Sequence, residues 1–276
     1  MAVILRAASE IVGRRARLLR VAEPSGPPPT SPKDRFVTVY GRKPVLEALA
    51  DPDLEVDKVI LADTVRGGSA REIQDACRAH GVELQRASAH RVKVLAGNGR
   101  HDQGVLADVV APRMAPLPVF LSDLGTRRGA SVLVLDGVTN PSNVGMLLRS
   151  ATAAGLDGVL LPRHGVPAID PLVVKASAGV AFGAPVLRAA TAEQGVSALR
   201  EAGFTVFGLA AGGESLMDAE LPHRVALVLG NETDGLSAAV AAQCDGILSI
   251  PMFGGVESLN VASAGAVAAY ELLRRR

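Results

Sequence analysis

Apolar and polar positions in this chain fall into two blocks, each switching between strand-length apolar runs and segments with helical spacing. In the first block Phe36–Tyr40 reads as a strand and Lys43–Ala50 as a helix. Val56–Leu61 is a second strand, Ser69–His80 a helix and Val82–Gln85 a third strand. A short helix over His90–Ala96 and a strand over Gly104–Val110 complete it. The second block repeats the alternation. Strands are expected at Ser131–Leu135, Gly158–Leu161, Phe204–Leu209, Val225–Leu229 and Ile247–Ile250. Helices fit Val144–Gly155, Thr191–Ala202, Leu236–Ala242 and Leu259–Arg274. Strands separated by helices predict an α/β protein with a mostly parallel sheet covered on both faces.

The punctuation between the blocks sets the expected domains. Residues 1–35 form a basic N-terminal extension ending in a Pro-rich linker, Glu23 to Pro32. Residues 36–112 make a small α/β domain, residues 113–129 a second linker, and residues 130–276 a larger α/β domain. The first 20 residues mix Arg with Val, Ile and Leu, like an amphipathic helix or an organelle-targeting segment. Their apolar run is too short and too interrupted by Arg for a secretory signal.

With 48% hydrophobic and 21% charged residues, the 276-residue chain can bury a substantial core. No apolar run approaches the ~20 residues of a membrane helix, which predicts a soluble protein with no membrane partner. Cys77 and Cys244 make no disulfide framework and join no histidine in a zinc-ligand pattern. Two reduced thiols in the cytoplasm and no metal are therefore expected. Net charge is +1, but seven basic and three acidic residues precede Phe36, placing +4 on the arm and −3 on the remainder. Such an arm suits either a phosphate backbone or a solvated tail.

Candidate chemistry gathers in three loops that follow strands, where an open parallel sheet binds ligands. The first, Asp136-Gly-Val-Thr-Asn-Pro-Ser-Asn143-Val-Gly145, leads into a helix carrying Arg149, with Ser142 or Asn143 as candidate cap. Arg149 is close enough in sequence for its charge to face the same loop. The second is Gly230-Asn-Glu232-Thr-Asp-Gly235-Leu-Ser237, in which two glycines permit a tight turn or a close approach to a ligand. The third runs from Ile250-Pro-Met through Ser258-Leu-Asn260 into an Ala/Gly-rich helix, with Ser258 and Asn260 as candidate caps. Each alone is also an ordinary strand–turn–helix. Their co-occurrence is the informative feature.

Together they resemble the SpoU (TrmH-type) branch of the SPOUT RNA methyltransferases. The family's motifs match Asn140-Pro-Ser-Asn-Val-Gly…Arg149, Leu229-Gly-Asn-Glu…Gly235-Leu and Ile250-Pro-Met…Ser258-Leu-Asn-Val261. Val39-Tyr-Gly-Arg-Lys-Pro-Val-Leu-Glu-Ala48 and Gln103-Gly104 are similar to the family's L30e-like substrate-binding module. One departure is Ala262 where relatives often carry serine; Ser263 follows, about a quarter turn away on a helix.

The resemblance implies a SPOUT domain with a deep C-terminal trefoil knot and S-adenosylmethionine as methyl donor. The donor would be bound by backbone at Gly230, Ile250 and Leu259. It implies Asn143, Arg149, Glu232, Ser258 and Asn260 as catalytic positions. It further implies a homodimer with the groove at the subunit interface, acting on an RNA ribose 2′-hydroxyl. A guanidinium is protonated at all ordinary pH values, so Arg149 suits a phosphate clamp, with Glu232 or a phosphate oxygen taking the proton. A structured rRNA loop is the favoured target, tRNA and antibiotic-resistance modification of the ribosome being alternatives. With only 3% aromatic residues and no Trp, the RNA should be read by shape, phosphates and a splayed nucleotide. No Gly-x-Gly-x-x-Gly follows a strand and no phosphate-binding P-loop is present, against a nicotinamide enzyme or a Rossmann-type methyltransferase. A catalytically silent RNA-binding protein is the remaining rival.

Overall fold

A computed structural model describes residues 34–97 and 102–275. The basic arm and Pro-rich linker before Asp34 lie outside those residues. The first module is a mixed four-stranded sheet, β1 (Phe36–Tyr40), β4 (Val105–Val110), β2 (Val56–Ala62) and β3 (Glu83–Ala87), in that spatial order. Strand β4 is antiparallel to both neighbours, while β2 and β3 run parallel. The apolar run of β2 is buried on both faces. Val59 and Leu61 pack with Val45, Leu49, Ile73 and Cys77 of α1 (Arg42–Ala50) and α2 (Gly68–His80). Ile60 and Ala62 turn the other way, toward Val92 of α3 (Ala89–Ala96). Period-2 alternation thus feeds two small cores.

The second sheet has seven strands, ordered β11 (Gly246–Ser249), β9 (Thr205–Ser215), β10 (Arg224–Leu229), β6 (Ala130–Leu135), β7 (Gly158–Pro162), β8 (Val186–Ala189) and β5 (Ala115–Pro116). Every pairing is parallel. All six residues of β6 are buried, as a central strand covered on both sides requires. Leu133 and Leu135 face α5 (Pro141–Ala153), α6 (Pro171–Ala176) and α9 (Val261–Arg274). Val132 and Val134 face α4 (Leu117–Leu124), α7 (Ala192–Glu201) and α8 (Ala238–Ala241).

Several expectations need correcting. Residues 113–129 do not behave as a plain linker: Ala115–Pro116 pairs with β8 as an edge strand, and α4 follows. Its apolar residues Leu117 and Leu124 are buried in the sheet's second core, so burial outweighed the prolines. Helix α6, the 3-10 turn at Val180–Phe182 and strand β8 lie in a region read without elements; each is too short for a periodic signal. Helix α5 starts at Pro141 rather than Val144. Asn140 caps it, accepting from Ser142 N at 2.9 Å, and a proline at the first position sacrifices no helical hydrogen bond.

The two modules share apolar packing. Val37, Val39, Val109 and Met114 join the large cluster that contains Leu135 and Leu161. Asp34, at the start of the first module, is buried and ion-paired with Arg163 just past β7.

Candidate functional site

The C-terminal ends of β9, β10 and β11 open onto a cleft of about 520 Å³. Its wall on one side is a detour in β9. Pairing with β11 jumps from Gly208 opposite Ile247 to Glu214 opposite Leu248, leaving residues 209–213 out of that ladder. Leu209, Ala210, Ala211 and Gly212 of this bulge line the cleft.

The floor comes from the turn after β10. Asn231 and Gly235 exchange backbone hydrogen bonds of 2.8 and 3.0 Å, closing residues 231–235 into a small loop. The Asn231 side chain braces it three times: Nδ2 donates to Gly137 O at 2.7 Å, and Oδ1 accepts from Thr233 N at 2.8 Å and Asp234 N at 3.2 Å. Asp136 accepts Ser237 N at 2.7 Å. Gly230 is required here for proximity. A Cβ on it would sit 2.3 Å from the Gly235 carbonyl carbon and 2.5 Å from Leu236 N, well inside contact distance.

The remaining wall is the extended segment between β11 and α9. It stays non-helical because Asn260 is the helix cap, its Oδ1 accepting from Ala262 N at 2.9 Å. Leu259 therefore remains outside the helix, half-exposed in the cleft, together with Ile250, Pro251, Met252 and Ser258.

Of the residues singled out from sequence, Gly230, Ile250 and Leu259 line this single cavity, as do Glu232 and Ser258. Asn143 and Asn260 stand behind it. Asn143 is buried on α5, donates through Nδ2 to Glu232 Oε1, and accepts from Asn260 Nδ2 at 3.2 Å. One amide thereby ties the three turns together. Its orientation follows from the partners, because a carboxylate can only accept.

Arg149 does not join them. It is exposed on α5 and outside the cleft lining. Six residues of helix carry it about 120° away from the inward Asn143, so it does not face the loop that Asn143 faces. Among the described residues its side chain makes no hydrogen bond or ion pair. Met146, one turn earlier, is exposed beside it, and α5 packs on α9, whose Tyr270 and Leu273 are also exposed.

Sequence reasoning assigned no part to the β9 bulge, Asn231, Asp136 or Glu257. For the bulge a signal existed: an apolar strand running into Ala210-Ala-Gly-Gly213 at a carboxyl end of the sheet. The bracing by Asn231 and Asp136 depends on which turns the fold sets side by side.

Comparison with known proteins bears on the arrangement. A family model described as the SpoU rRNA Methylase family matches residues 130–270. A second, described as RNA 2′-O ribose methyltransferase substrate binding, matches residues 38–115. The chain is 34% identical to a 23S rRNA (guanosine-2′-O-)-methyltransferase RlmB of Xanthomonas campestris pv. campestris, covering 86% of this chain and 96% of that protein. It is 30% identical to a TrmH family tRNA/rRNA methyltransferase of Staphylococcus saprophyticus, over 87% and 96% of the two chains. Among solved structures it resembles the SpoU methyltransferase AviRb from Streptomyces viridochromogenes in complex with the cofactor AdoMet. That match has a TM-score of 0.56 at 28% identity, covering 87% of this chain and 90% of that one.

Proposed function

This chain belongs to the SpoU rRNA Methylase family, and from that premise we propose that it methylates a ribose 2′-hydroxyl of 23S-type ribosomal RNA in the cytoplasm, with S-adenosylmethionine as donor. The observation that carries the reading is the convergence of Gly230, from the turn after β10, with Ile250 and Leu259, from the segment after β11, on one cavity. Most of the matched relative's length is shared, including the substrate-binding module.

The residues present fit such a donor. The cleft volume of about 520 Å³ lies within the ~300–1,000 Å³ range of small-molecule sites. Leu209, Ile250, Leu259 and Val261 provide apolar walls, and the carboxylates of Glu232 and Glu257 line the same space, favouring a cation. When bound, the donor supplies a methyl carbon on a positive sulfur that accepts the bond pair as the methyl departs.

The protein's task is then alignment and proton management at the ribose oxygen. Backbone at Gly230, Ile250 and Leu259 holds the donor, and Ser258 on the same wall contacts substrate. Asn260 and Asn143 orient Glu232 through their linked amides. With Oε1 engaged by Asn143, Glu232 presents Oε2 to accept the hydroxyl proton. Arg149 clamps a neighbouring RNA phosphate through its guanidinium and stabilises charge developing on the ribose oxygen. Holding reactants in line is worth on the order of 7–11 kcal/mol of barrier in favourable cases.

Arg149's distance from the cleft of its own chain supports a homodimer in which one copy supplies Arg149 to the other. The exposed Met146, Tyr270 and Leu273 near it, and Met252, Phe253 and Val256 beside the cleft, are apolar surface that a second copy would cover. In this reading the segment after β11 threads the trefoil knot of the family. Its support is α9, which packs against α5 over β10 and β6, away from the edge strand β11 that precedes it.

Ribose-methylation mapping of total RNA with and without this gene tests the assignment. Loss of one 2′-O-methyl site in 23S-type rRNA is expected. Loss of a tRNA mark instead, or an unchanged map, overturns the ribosomal target.

A further inference from the structure

A second cleft, of about 460 Å³, lies in the first module, away from the three turns. It is bounded by the loop after β2, the start of α2 and the end of β3. Arg66, Arg71 and Arg86 line it, against a single carboxylate, Asp63, and the amide of Gln74. The three guanidiniums are not scattered leftovers. Among the described residues of this module, Arg42, Lys43, Lys58 and Arg78 each ion-pair with a carboxylate. Arg35, Arg66, Arg71, Arg86, Arg91 and Lys93 do not, and three of these six border one cavity.

Bringing like charges round a common space costs energy unless an anion enters it. Arg86 is held in place, Nη1 donating to the carbonyls of Ala62 and Val65 at 3.2 Å each. Its position is thus fixed by backbone, whereas Arg66 and Arg71 are exposed and free to close on a ligand. At the same rim α2 begins at Gly68, with Gly67 at the cap position, no side-chain cap and no acidic residue in its first turn. Nothing negative on that helix end competes for the space.

We propose that this cleft binds a phosphodiester group of the substrate RNA, with Arg66 and Arg71 as its ligands and Arg86 as the fixed base of the site. The inference rests on the RNA-methyltransferase reading above and locates where the accessory module grips its substrate. Guanidinium forks match phosphate oxygens in pairs, and an RNA backbone is the phosphate source that a second, remote grip would serve.

The test uses the full chain and protein-free 23S rRNA, with binding measured across salt concentrations. Wild type is first scored for donor binding by calorimetry and for methyl transfer; failure there sinks the functional reading itself and is seen before any variant is compared. The double variant Arg66→Ala/Arg71→Ala is expected to bind rRNA about 10-fold more weakly. The slope of log affinity against log salt should fall by about 1, one phosphate contact fewer. Donor affinity and kcat at saturating RNA should hold while KM rises. Arg66→Lys/Arg71→Lys should keep the salt slope. Unchanged rRNA affinity and slope in the alanine variant overturns the proposal. So does tight binding of inorganic phosphate to a site whose loss leaves rRNA affinity intact.

Discussion

Asn143 and Asn260 stand 117 positions apart in the chain and meet at 3.2 Å, the Asn260 amide donating to the Asn143 carbonyl oxygen. Asn143 passes the connection on to Glu232 through its own amide. The cap of the last helix, the helix that follows β6 and the turn after β10 are therefore joined by two side-chain contacts. A carboxylate on the rim of the cleft is thus set by a residue buried behind it.

Asn143→Asp keeps the shape but replaces the donor facing Glu232 with a second carboxylate. Repulsion should turn Glu232 away, lowering kcat by about 100-fold, the scale of a 1 Å misplacement. Donor affinity, measured by calorimetry, should change by only a few-fold. A variant with normal kcat would remove Glu232's orientation from the mechanism.

Gly230→Ala places a methyl 2.3 Å from the Gly235 carbonyl carbon, and backbone cannot swing aside as a flexible side chain does. The turn must move, at a cost of about 1–3 kcal/mol in stability. Donor affinity should drop at least about 10-fold, since 1.4 kcal/mol corresponds to that factor. Chemical denaturation and calorimetry on the same preparation separate the two effects.

Arg149→Ala should leave the melting temperature within error, because the side chain is exposed and unpaired among the described residues. Methyl transfer should fall by about 10²–10³, the usual loss when one charge-stabilising donor is removed. Arg149→Lys should recover little, since an ammonium cannot grip two phosphate oxygens at once. Mixing Arg149→Ala with Glu232→Gln should restore activity if each groove draws on both copies. No recovery after subunit exchange would place Arg149 and Glu232 in one chain's site.

Glu271 anchors the end of α9. It is buried, and it accepts from Arg274 at 2.7 and 2.9 Å and from Arg275 at 2.5 Å. Arg275 also donates to the carbonyls of Leu216 and Met217 at 2.9 Å each, and to that of Ala219. The hydrogen bond from Arg274 holds the Glu271 carboxyl below the usual range, Arg275 adding to it and burial opposing both. A carboxyl lowered on folding stabilises in full above its ordinary value of 4.5 and loses that contribution as pH falls through the native value. Glu271→Gln should thus cost about 1.5–3 kcal/mol at neutral pH, with the gap to wild type closing in acid. Urea unfolding across pH reads it; a gap that stays constant in acid would mean the charge contributes nothing.

Much of the first module was legible because its strands and helices are regular and its cores small. The Val59–Leu61 alternation and the spacing of Ala70, Ile73 and Cys77 predict the faces they occupy. In the larger module the central strands were equally plain, since β6 and β10 are apolar apart from Ser131 and Arg224. Helix α6 and strand β8 were not, being six and four residues long. The apolar side chains of α4 lay hidden among prolines that read as linker.

The chain's order of residues, through its motifs' resemblance to a known family, was sufficient to single out Gly230, Ile250 and Leu259, which the fold brings to one cavity; the turns after apolar strands carry a local signal only of where such loops fall. It also supplied the two-module organisation, through periodicities that each segment expresses on its own. That Asn143 turns inward while Arg149 turns out, that β9 bulges to wall the cleft, and that three arginines border a second cavity were decided only by tertiary structure. Those relationships join positions far apart in sequence, and what sets them is the packing of helices on a shared sheet, which no window of local pattern contains.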